Sequence, residues 1–560
     1  MKRIFLLLLI VVLTVNTRYL SGQTAYEHIS NTDLYIFIDD MASLHLIEAN
    51  TAIKPYSREQ IARWLKEIDL QRNALSNAQL ARLEIFTKEY ALEAGNMKTG
   101  LVELTQRKDQ LSLHLVPPEV VWKDSLFRAI LRPVYGIRYF NSGDASFYHS
   151  YGGAEAIAYA GKGWAGYASL RDNYQSQEPL AMPTYLTQEA GGNYKIGVQG
   201  RTGADYSEMR GGITYSWDWG SIAFIKDHLQ WGDAYNGSNI LSGRSPSFPM
   251  VKLHLNPVKW LEFEYFHGWL VSQVIDSSRS YITANGDYRA VFREKYIAAN
   301  MYTFKPFKRL NFSIGNSIIY SDVPVQPAYL IPFFFFKSLD HTLNKGIDNQ
   351  NSAMFLNISS RQIKHLHVFA SVFVDEFSVS RIGDPDRHNF TSIKGGAALT
   401  GWPLQNLFIA AEYTRTNPMT YKHRVPATTF ATNLFNLGHY LTDNSEEVFM
   451  SLRYTPFNTL QVKINYTYAV HGNDYQYVFG TTPVDEFPVL KDKTWSNTTL
   501  VFRADYLPFP NVWVFAEYSK GRMEGYDVDG KTAAYYLNRF GADYLHGKTS
   551  TFVLGFGMGF

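Results

Sequence analysis

The sequence contains no cysteine among its 560 residues. It therefore has no disulfide framework, no thiolate metal site and no cysteine that could carry a lipid anchor. An excess of charge of one sign is also lacking, since 53 Lys and Arg residues nearly balance 51 Asp and Glu residues. This balance gives no reason to expect a basic surface for nucleic acid, and we predict no nucleic-acid partner.

Long apolar runs are scarce. Residues 4–15, which follow two cationic residues, form the apolar core of a predicted signal peptide that is cleaved near Gly22. An uncleaved anchor is the alternative, but the run is shorter than the roughly 20 apolar residues of a membrane-spanning helix. The nearest later candidate, residues 329–336, is short and interrupted by proline. Any membrane-embedded part is therefore predicted to be a closed barrel, because open sheet edges leave backbone groups unsatisfied in lipid.

Recognisable catalytic motifs are missing as well. The sequence has no G-x-S-x-G nucleophile elbow, no H-E-x-x-H zinc motif, no P-loop and no dinucleotide fingerprint. Its acidic residues show no spacing that is typical of a metal-binding loop. We therefore predict no enzymatic activity, no cofactor and no bound metal.

Aromatic residues, in contrast, are abundant: 38 Tyr, 37 Phe and 11 Trp make up 15% of the chain. Rings of aromatic side chains at both membrane interfaces are one reason for such an excess. From about Leu131 onward, large apolar residues alternate with polar or small ones, as in residues 135–139 and 460–468. This period of two predicts strands with one face toward lipid and the other toward water. A soluble antiparallel sheet also alternates, so the long series of strands is what favours a barrel.

The C-terminal segment, residues 551–560, is a further strand of this kind. The side chains on one of its faces are all large and apolar: Phe552, Leu554, Phe556, Met558 and Phe560. The other face carries mostly Gly and Thr. This pattern resembles the terminal signal by which outer-membrane proteins are recognised for assembly. We therefore predict a location in the bacterial outer membrane, with lipid and the assembly machinery as partners.

A turn pattern divides the strands into hairpins. A proline followed by an apolar residue and a new strand recurs at Pro257, Pro306, Pro403, Pro456 and Pro508. The intervals are 49, 97, 53 and 52 residues, and the long one divides at a turn near residues 361–364. Further turns near residues 161–163 and 217–219 bring the prediction to nine hairpins, hence about 18 strands. We allow roughly 16 to 20 strands, because residues 173–210 can hold another hairpin or a structured loop.

The N-terminal region has a helical pattern instead. Ser57 with Gln60, and Ser76 with Gln79, are spaced as capping boxes ahead of apolar residues at helical intervals. An earlier helix is predicted over residues 34–46. The predicted division is a signal peptide at 1–22, a periplasmic helical bundle at 23–100, a linker and first strand entry at 101–130, and the barrel at 131–560.

Two loops contain the residue types that bind sugars. Sugars stack their apolar faces on aromatic rings, while planar polar side chains bond their hydroxyl groups. The first loop, between Asp227 and Phe248, supplies the candidates Gln230, Trp231, Asp233, Tyr235, Asn236 and Arg244. The second supplies Tyr421, His423 and Arg424, of which Arg424 suits an anionic glycan. The alternative is that these residues pack their loops into the mouth of the barrel.

Four stretches of the sequence resemble the Wzi-like capsule-assembly family, which includes RemB-like gliding-motility proteins of Bacteroidetes. They are residues 35–39 with 54–58; residues 219–220, 226–232 and 245–249; residues 329–333, 348–349 and 374–376; and residues 412–415, 417–418, 421, 438–441 and 443–444. The resemblance implies a large outer-membrane barrel with a helical bundle at its periplasmic face. It also implies a lectin-like role in holding or assembling capsular or other surface polysaccharide. A gliding-motility or adhesion protein that acts through protein partners, and a passive channel, are the alternatives.

Overall fold

The structure is a computed structural model that describes residues 23–97, 99–100, 102–107, 110–143, 145–177, 179–197, 202–343, 349–384, 388–477 and 487–559. The predicted signal peptide and the terminal Phe560 lie outside the described residues.

Within these residues, eighteen antiparallel strands close into a ring. In chain order they are β1 (Phe127–Ser142), β2 (Ala145–Ala160), β3 (Trp164–Gln175), β4 (Ala204–Trp217), β5 (Gly220–Asp227), β6 (Phe248–Val258), β7 (Leu261–Ile275), β8 (Phe292–Phe307), β9 (Leu310–Ser321), β10 (Gln350–Ser360), β11 (Leu366–Glu376), β12 (Phe390–Thr400), β13 (Leu407–Thr416), β14 (Ser445–Phe457), β15 (Leu460–His471), β16 (Trp495–Phe509), β17 (Val512–Gly525) and β18 (Gly547–Met558).

The ring closes between the last strand and the first. Thr551 lies opposite Ser142, and Met558 lies opposite Tyr135. Every other strand pairs with its neighbours along the chain, so the barrel is a simple up-and-down meander. The predicted fold class, a closed antiparallel barrel of about 18 strands with N-terminal helices, is confirmed.

The two faces of each strand differ as the alternation predicts. Along β18, Phe552, Leu554 and Phe556 are exposed on the outside, whereas Thr551 and Val553 are buried toward the interior. This arrangement gives an apolar outer band, which is the surface that a membrane-spanning barrel presents to lipid. Within the described part of the chain, no helix is both long and apolar enough to cross a membrane.

Tight turns join the strands at one end of the barrel. They lie at residues 161–163, 218–219, 259–260, 308–309, 361–365, 401–406, 458–459 and 510–511. These are the turns that the sequence predicts, and the chain enters the barrel beside them: the Gln23 side chain donates hydrogen bonds to the carbonyls of Ala160 and Trp164. We call this the turn end, and the opposite end the loop end.

The segment before the barrel holds more regular structure than a linker. Three short strands, Val102–Arg107, Leu111–Val116 and Pro118–Lys123, form a meander. Its last strand pairs with the start of β1, from Val120 opposite Leu131 to Lys123 opposite Arg128. The meander therefore extends the barrel wall at the turn end.

Three helices close the turn end: α1 (Thr32–Ser43), α2 (Arg58–Asp69) and α3 (Asn77–Glu89). The predicted caps are present, since Ser57 accepts a hydrogen bond from the Gln60 backbone and Ser76 forms a complete capping box with Gln79. The helices share a core that includes Phe37, Leu65 and Phe86. They are joined to the barrel through ion pairs from Asp39 to Arg361 and from Asp40 to Arg453.

Longer loops occupy the loop end. Two of them contain helices, α4 (Phe336–Leu343) and α5 (Ala533–Phe540). Short paired segments stiffen others, such as Tyr281–Ile282 with Tyr288–Arg289 and Ala431–Thr432 with Phe435–Asn436. Between β3 and β4, Lys195–Ile196 pairs with the start of β4. The described residues between β3 and β4 therefore form a loop that pairs with the start of β4, and they add no further strand to the ring.

Candidate functional site

Residues 228–247, which join β5 to β6, fold into the barrel interior. Gln230–Trp231 pairs on one side with Ile53–Lys54 of the N-terminal region and on the other with Leu241–Ser242. The result is a small three-stranded sheet inside the barrel. The Trp231 ring is fully buried, with its centroid 5.2 Å from that of Phe266 and 5.8 Å from that of Phe355. This loop and the N-terminal region therefore meet inside the barrel.

Asp233, Tyr235 and Asn236 bind the barrel wall and helix α1 rather than facing solvent. The backbone N–H of Asp233 donates to the Asn357 side chain at 3.1 Å, and the Asn357 amide donates back to the Asp233 carboxylate at 2.9 Å. The Tyr235 hydroxyl donates to Asp39 at 2.9 Å. The Asn236 amide donates to Glu447 at 3.0 Å.

Arg244 is a buried cation held by backbone oxygens. Its guanidinium donates to the carbonyls of Met182, Pro183, Tyr185 and Thr187, at distances of 2.6–2.9 Å. Because burial disfavours its charged form, the pKa of Arg244 falls to about 10. Arg244 thus connects residues 228–247, which we call the infolded loop, to the loop between β3 and β4.

The six sequence candidates in this loop are therefore buried or half-buried rather than exposed. Gln230 is half-buried, and its backbone belongs to the interior sheet. The partners of the other five are residues of this protein, so their positions favour the alternative in which the loop packs the barrel. The sequence does not reveal this, because side chains that suit a sugar also suit a hydrogen-bonded interior.

Tyr421, His423 and Arg424 differ in how far they are exposed. The buried Tyr421 hydroxyl donates to the carbonyl of Asn239 at 2.6 Å, which joins its loop to the infolded one. His423 is half-buried, and its Nδ1 lies 2.7 Å from the Thr428 hydroxyl. Arg424 is exposed at the loop end. The other eight sequence candidates are buried or half-buried.

Charged side chains from three loops meet at the loop end, beginning with Lys422, two positions before Arg424. The Lys422 ammonium lies 3.1 Å from Asp443 and 3.0 Å from Asp474, and Arg539 of α5 also contacts Asp474 at 2.5 Å. Burial acts to raise the pKa of Asp474, but the two cations lower it to about 2. We call Lys422, Asp474 and Arg539, together with Arg424 in the same loop as Lys422, the rim cluster. Sequence reasoning misses the grouping of Lys422 with Asp474 and Arg539, because these three residues come from three different loops.

His28, Glu208 and His228 form one group whose geometry could hold a metal ion. Glu208 Oε1 lies 3.3 Å from His28 Nε2 and 2.9 Å from His228 Nε2. However, the Ser30 backbone N–H donates to His28 Nδ1, which places the His28 proton on Nε2, toward the carboxylate. The Arg171 guanidinium binds the second Glu208 oxygen at 2.6 Å. These contacts fit a hydrogen-bonded cluster better than a metal site.

A second group, His254, Glu262 and Glu264, also has metal-binding residue types. Its carboxylates are already paired with cations. Lys305 lies 2.9 Å from Glu262, and Lys252 lies 3.4 Å from Glu264. A divalent ion would have to displace these lysines, so this group fits an ion-pair network inside the barrel.

Neither a known protein family nor a curated protein matches the sequence. Among solved structures, the outer-membrane protein Wzi of Escherichia coli is similar, with a TM-score of 0.56 and 11% sequence identity. The similarity covers 96% of this chain and 99% of Wzi, a carbohydrate-binding β-barrel involved in group 1 capsule assembly. OprD of Pseudomonas aeruginosa aligns with a TM-score of 0.40 and 10% identity, over 77% of this chain and 92% of OprD. At this level of identity the similarity to Wzi establishes the fold, which is that of a closed outer-membrane β-barrel.

Proposed function

We propose that this protein is located in the bacterial outer membrane and binds surface polysaccharide at its loop end, as a lectin-like protein without catalytic activity. The observation that carries the proposal is the similarity in fold to Wzi, which extends over nearly the full length of both chains. It thus includes the N-terminal helices as well as the barrel.

The proposed location has three supports. The outer face of the barrel is apolar, as lipid requires. The N-terminal segment has the pattern of a signal peptide. The terminal strand resembles the signal that the outer-membrane assembly machinery recognises, so we propose that machinery as a partner during insertion.

The contents of the barrel favour a binding role over that of a passive channel. Helices α1–α3 occupy the turn end, and the infolded loop 228–247 meets the N-terminal region in the interior. Both are held by buried polar contacts, such as those of Asp233 and Tyr235. A solute pathway would have to break these contacts.

The proposed contact surface is the solvent-exposed part of the rim cluster, chiefly Arg424. Because the six candidates in the infolded loop have partners inside the protein, we assign polysaccharide contact to side chains that reach solvent. Arg424 is exposed. The ring of Tyr535 is also exposed, and Tyr535 lies on the same helix, α5, as Arg539. A cation and an exposed aromatic ring at the same end of the barrel suit an acidic polysaccharide.

Purified protein tests this proposal on a glycan array that contains acidic capsular polysaccharides. We expect wild-type protein to bind acidic glycans and Arg424→Ala to bind them about five- to tenfold more weakly, because one solvent-exposed hydrogen bond worth about 1 kcal/mol is lost. The matched control is Arg63→Ala, which removes an exposed arginine from α2 at the turn end. Equal weakening by both variants contradicts the assigned surface. Absence of glycan binding, together with stable co-purifying motility proteins, favours the motility alternative.

A further inference from the structure

One sector of the outer barrel wall is covered rather than exposed. On β7, β8 and β9 the outward side chains of Tyr265, Ala298, Ile318 and Tyr320 are at most 4% exposed. On β5, which lies two strands away from β7, the outward side chains of Ile222 and Phe224 are 46% and 59% exposed. Another part of the chain therefore covers the outer surface of β7, β8 and β9.

The cover is the loop between β9 and β10, which folds back along the outside of the barrel. We call residues 326–340 the outer strap. The strap contains a short 3-10 helix, Pro327–Leu330, and most of α4. Tyr329 and Phe336 are buried against the covered wall. The Phe333 ring centroid lies 4.9 Å from that of Phe263, which is close to the turn-end start of β7. The strap therefore descends along most of the height of the barrel.

Two outward-facing asparagines hold the strap. Asn300 and Asn316 lie near the middle of β8 and β9, where a membrane-spanning barrel has apolar residues. The Asn300 amide donates to the carbonyls of Pro332 and Phe334, at 2.8 and 2.9 Å. Asn316 accepts from the backbone N–H of Phe336 at 2.9 Å. Each polar group on the wall thus satisfies a polar group of the strap backbone.

Two tyrosines complete this arrangement. The Tyr265 hydroxyl donates to the carbonyl of Tyr329 at 2.8 Å, and the Tyr302 hydroxyl donates to that of Phe333 at 3.1 Å. Irregular backbone is tolerated at bilayer depth only where protein satisfies its hydrogen-bonding groups. Side chains of the wall beneath the strap form hydrogen bonds with backbone groups at five residues of the strap. The strap is therefore suited to an apolar medium.

The free face of the strap is apolar. Leu330, Ile331, Phe333, Phe334 and Phe335 are between 41% and 55% exposed. No charged residue occurs between Val323 and Phe336. An extracellular loop that faced water would not require five consecutive large apolar residues interrupted only by proline.

We propose that the outer strap is embedded in the bilayer and that lipid acyl chains contact its free face. The strap lies on the same outward surface as the apolar band on the neighbouring strands, so it continues an interface that already faces lipid. The polar residues Asn300 and Asn316 are then tolerated in the wall because the strap separates them from the acyl chains. The inference concerns a lipid contact and is independent of any polysaccharide.

The absence of cysteine allows a direct test with single nitroxide labels in protein reconstituted into liposomes. The test position is Phe334→Cys. Ile222→Cys is the control on the apolar band, and Tyr281→Cys is the control on the exposed loop-end hairpin. We expect the label at 334 to match that at 222, with high accessibility to oxygen and low accessibility to a water-soluble nickel chelate. The ratio of the two accessibilities should be several-fold higher than at 281.

Three results overturn the proposal. If the label at 334 is as accessible to nickel as the label at 281, the strap lies in water. If the label at 334 is shielded from both reagents and shows dipolar broadening, a second copy of the chain covers the strap. If the label at 222 is also accessible to nickel, the barrel itself is not in lipid, and the proposed location fails with it.

A second variant tests the anchoring residues. Asn316→Leu removes the acceptor for Phe336, and we expect greater mobility and greater nickel accessibility for the label at 334. Asn465→Leu is the matched control, because Asn465 bonds Ser451 on the neighbouring strand and has no contact with the strap. An unchanged spectrum at 334 in Asn316→Leu contradicts the role given to these hydrogen bonds.

Discussion

Trp231 shows how one residue can join two distant parts of the chain. Its fully buried ring packs between Phe266 and Phe355 of the barrel wall, and its backbone pairs with Ile53 of the N-terminal region. We expect Trp231→Ala to destabilise the interior by about 3–5 kcal/mol, because it leaves a cavity that neighbouring rings cannot fill. Native-state proteolysis within residues 228–247 measures this effect. Trp231→Phe serves as the control and should lose clearly less, whereas equal protection of wild type and Trp231→Ala contradicts the packing.

Glu89, at the end of α3, gives the helical region a dependence on pH. Burial raises its pKa to about 7, although the charge of Arg132 opposes the shift. The folded pKa is thus above the ordinary value of 4.5, so the associated stability is present below pH 4.5 and is lost as the pH rises toward 7.

The variant Glu89→Gln removes this titration. We expect it to match wild type near pH 4 and to protect α3 more strongly near pH 8, by on the order of 1–3 kcal/mol. Hydrogen exchange of the amides in Asn77–Glu89 measures the difference. A protection gain that is the same at both pH values contradicts the assignment to Glu89.

Individual residues differ in how far the sequence predicts their roles. Ser57 and Ser76 are predicted as helix caps and confirmed, because a capping box depends on residues three positions apart. Arg244 is predicted as a sugar ligand, yet its partners are backbone carbonyls about sixty residues earlier in the chain. No local pattern encodes such a contact.

Whole elements also differ in how far the sequence predicts them. The strands and the tight turns follow from alternation and from the spacing of prolines, and both are confirmed. Neither pattern predicts whether a long loop turns into the barrel or folds along its outside. The loop at 228–247 turns inward and the outer strap turns outward, although both are rich in aromatic residues. Their directions depend on matching groups such as Asn300 and Asn316, which lie on other strands.

The interior sheet offers a direct test at the level of elements. Lys54 lies opposite Gln230 in an antiparallel pair, where Cα atoms are typically about 4.5–5.5 Å apart. This separation falls within the range of a disulfide bond. We expect Lys54→Cys with Gln230→Cys to cross-link spontaneously during export, with a shift in electrophoretic mobility that reductant reverses.

The control pair is Lys54→Cys with Arg424→Cys, since Arg424 lies at the exposed loop end. It should remain reduced. A cross-link in the control pair, or none in the test pair, contradicts the docking of the N-terminal region against the infolded loop.

The molecule as a whole is a barrel whose interior is occupied from both ends. From the turn end, the helices are fixed by Arg361 to Asp39 and by Arg453 to Asp40. From the loop end, Tyr235 reaches the same aspartate, Asp39, at 2.9 Å. The contents therefore form one connected body, and loosening the helices should also loosen the loop.

This connection predicts the electrical behaviour of the protein in a planar lipid bilayer. We expect wild-type protein to show no steady conductance. The double variant Arg361→Ala, Arg453→Ala leaves Asp39 and Asp40 without their cationic partners, and the loss of a buried ion pair costs about 3–5 kcal/mol. It should therefore produce frequent openings as the helices leave the turn end. Arg503→Ala is the control, because the partners of Arg503, Asp505 and Glu517, both lie on the barrel wall. Steady conductance by wild type would instead favour the channel alternative, since the interior contacts would then leave a continuous water-filled path.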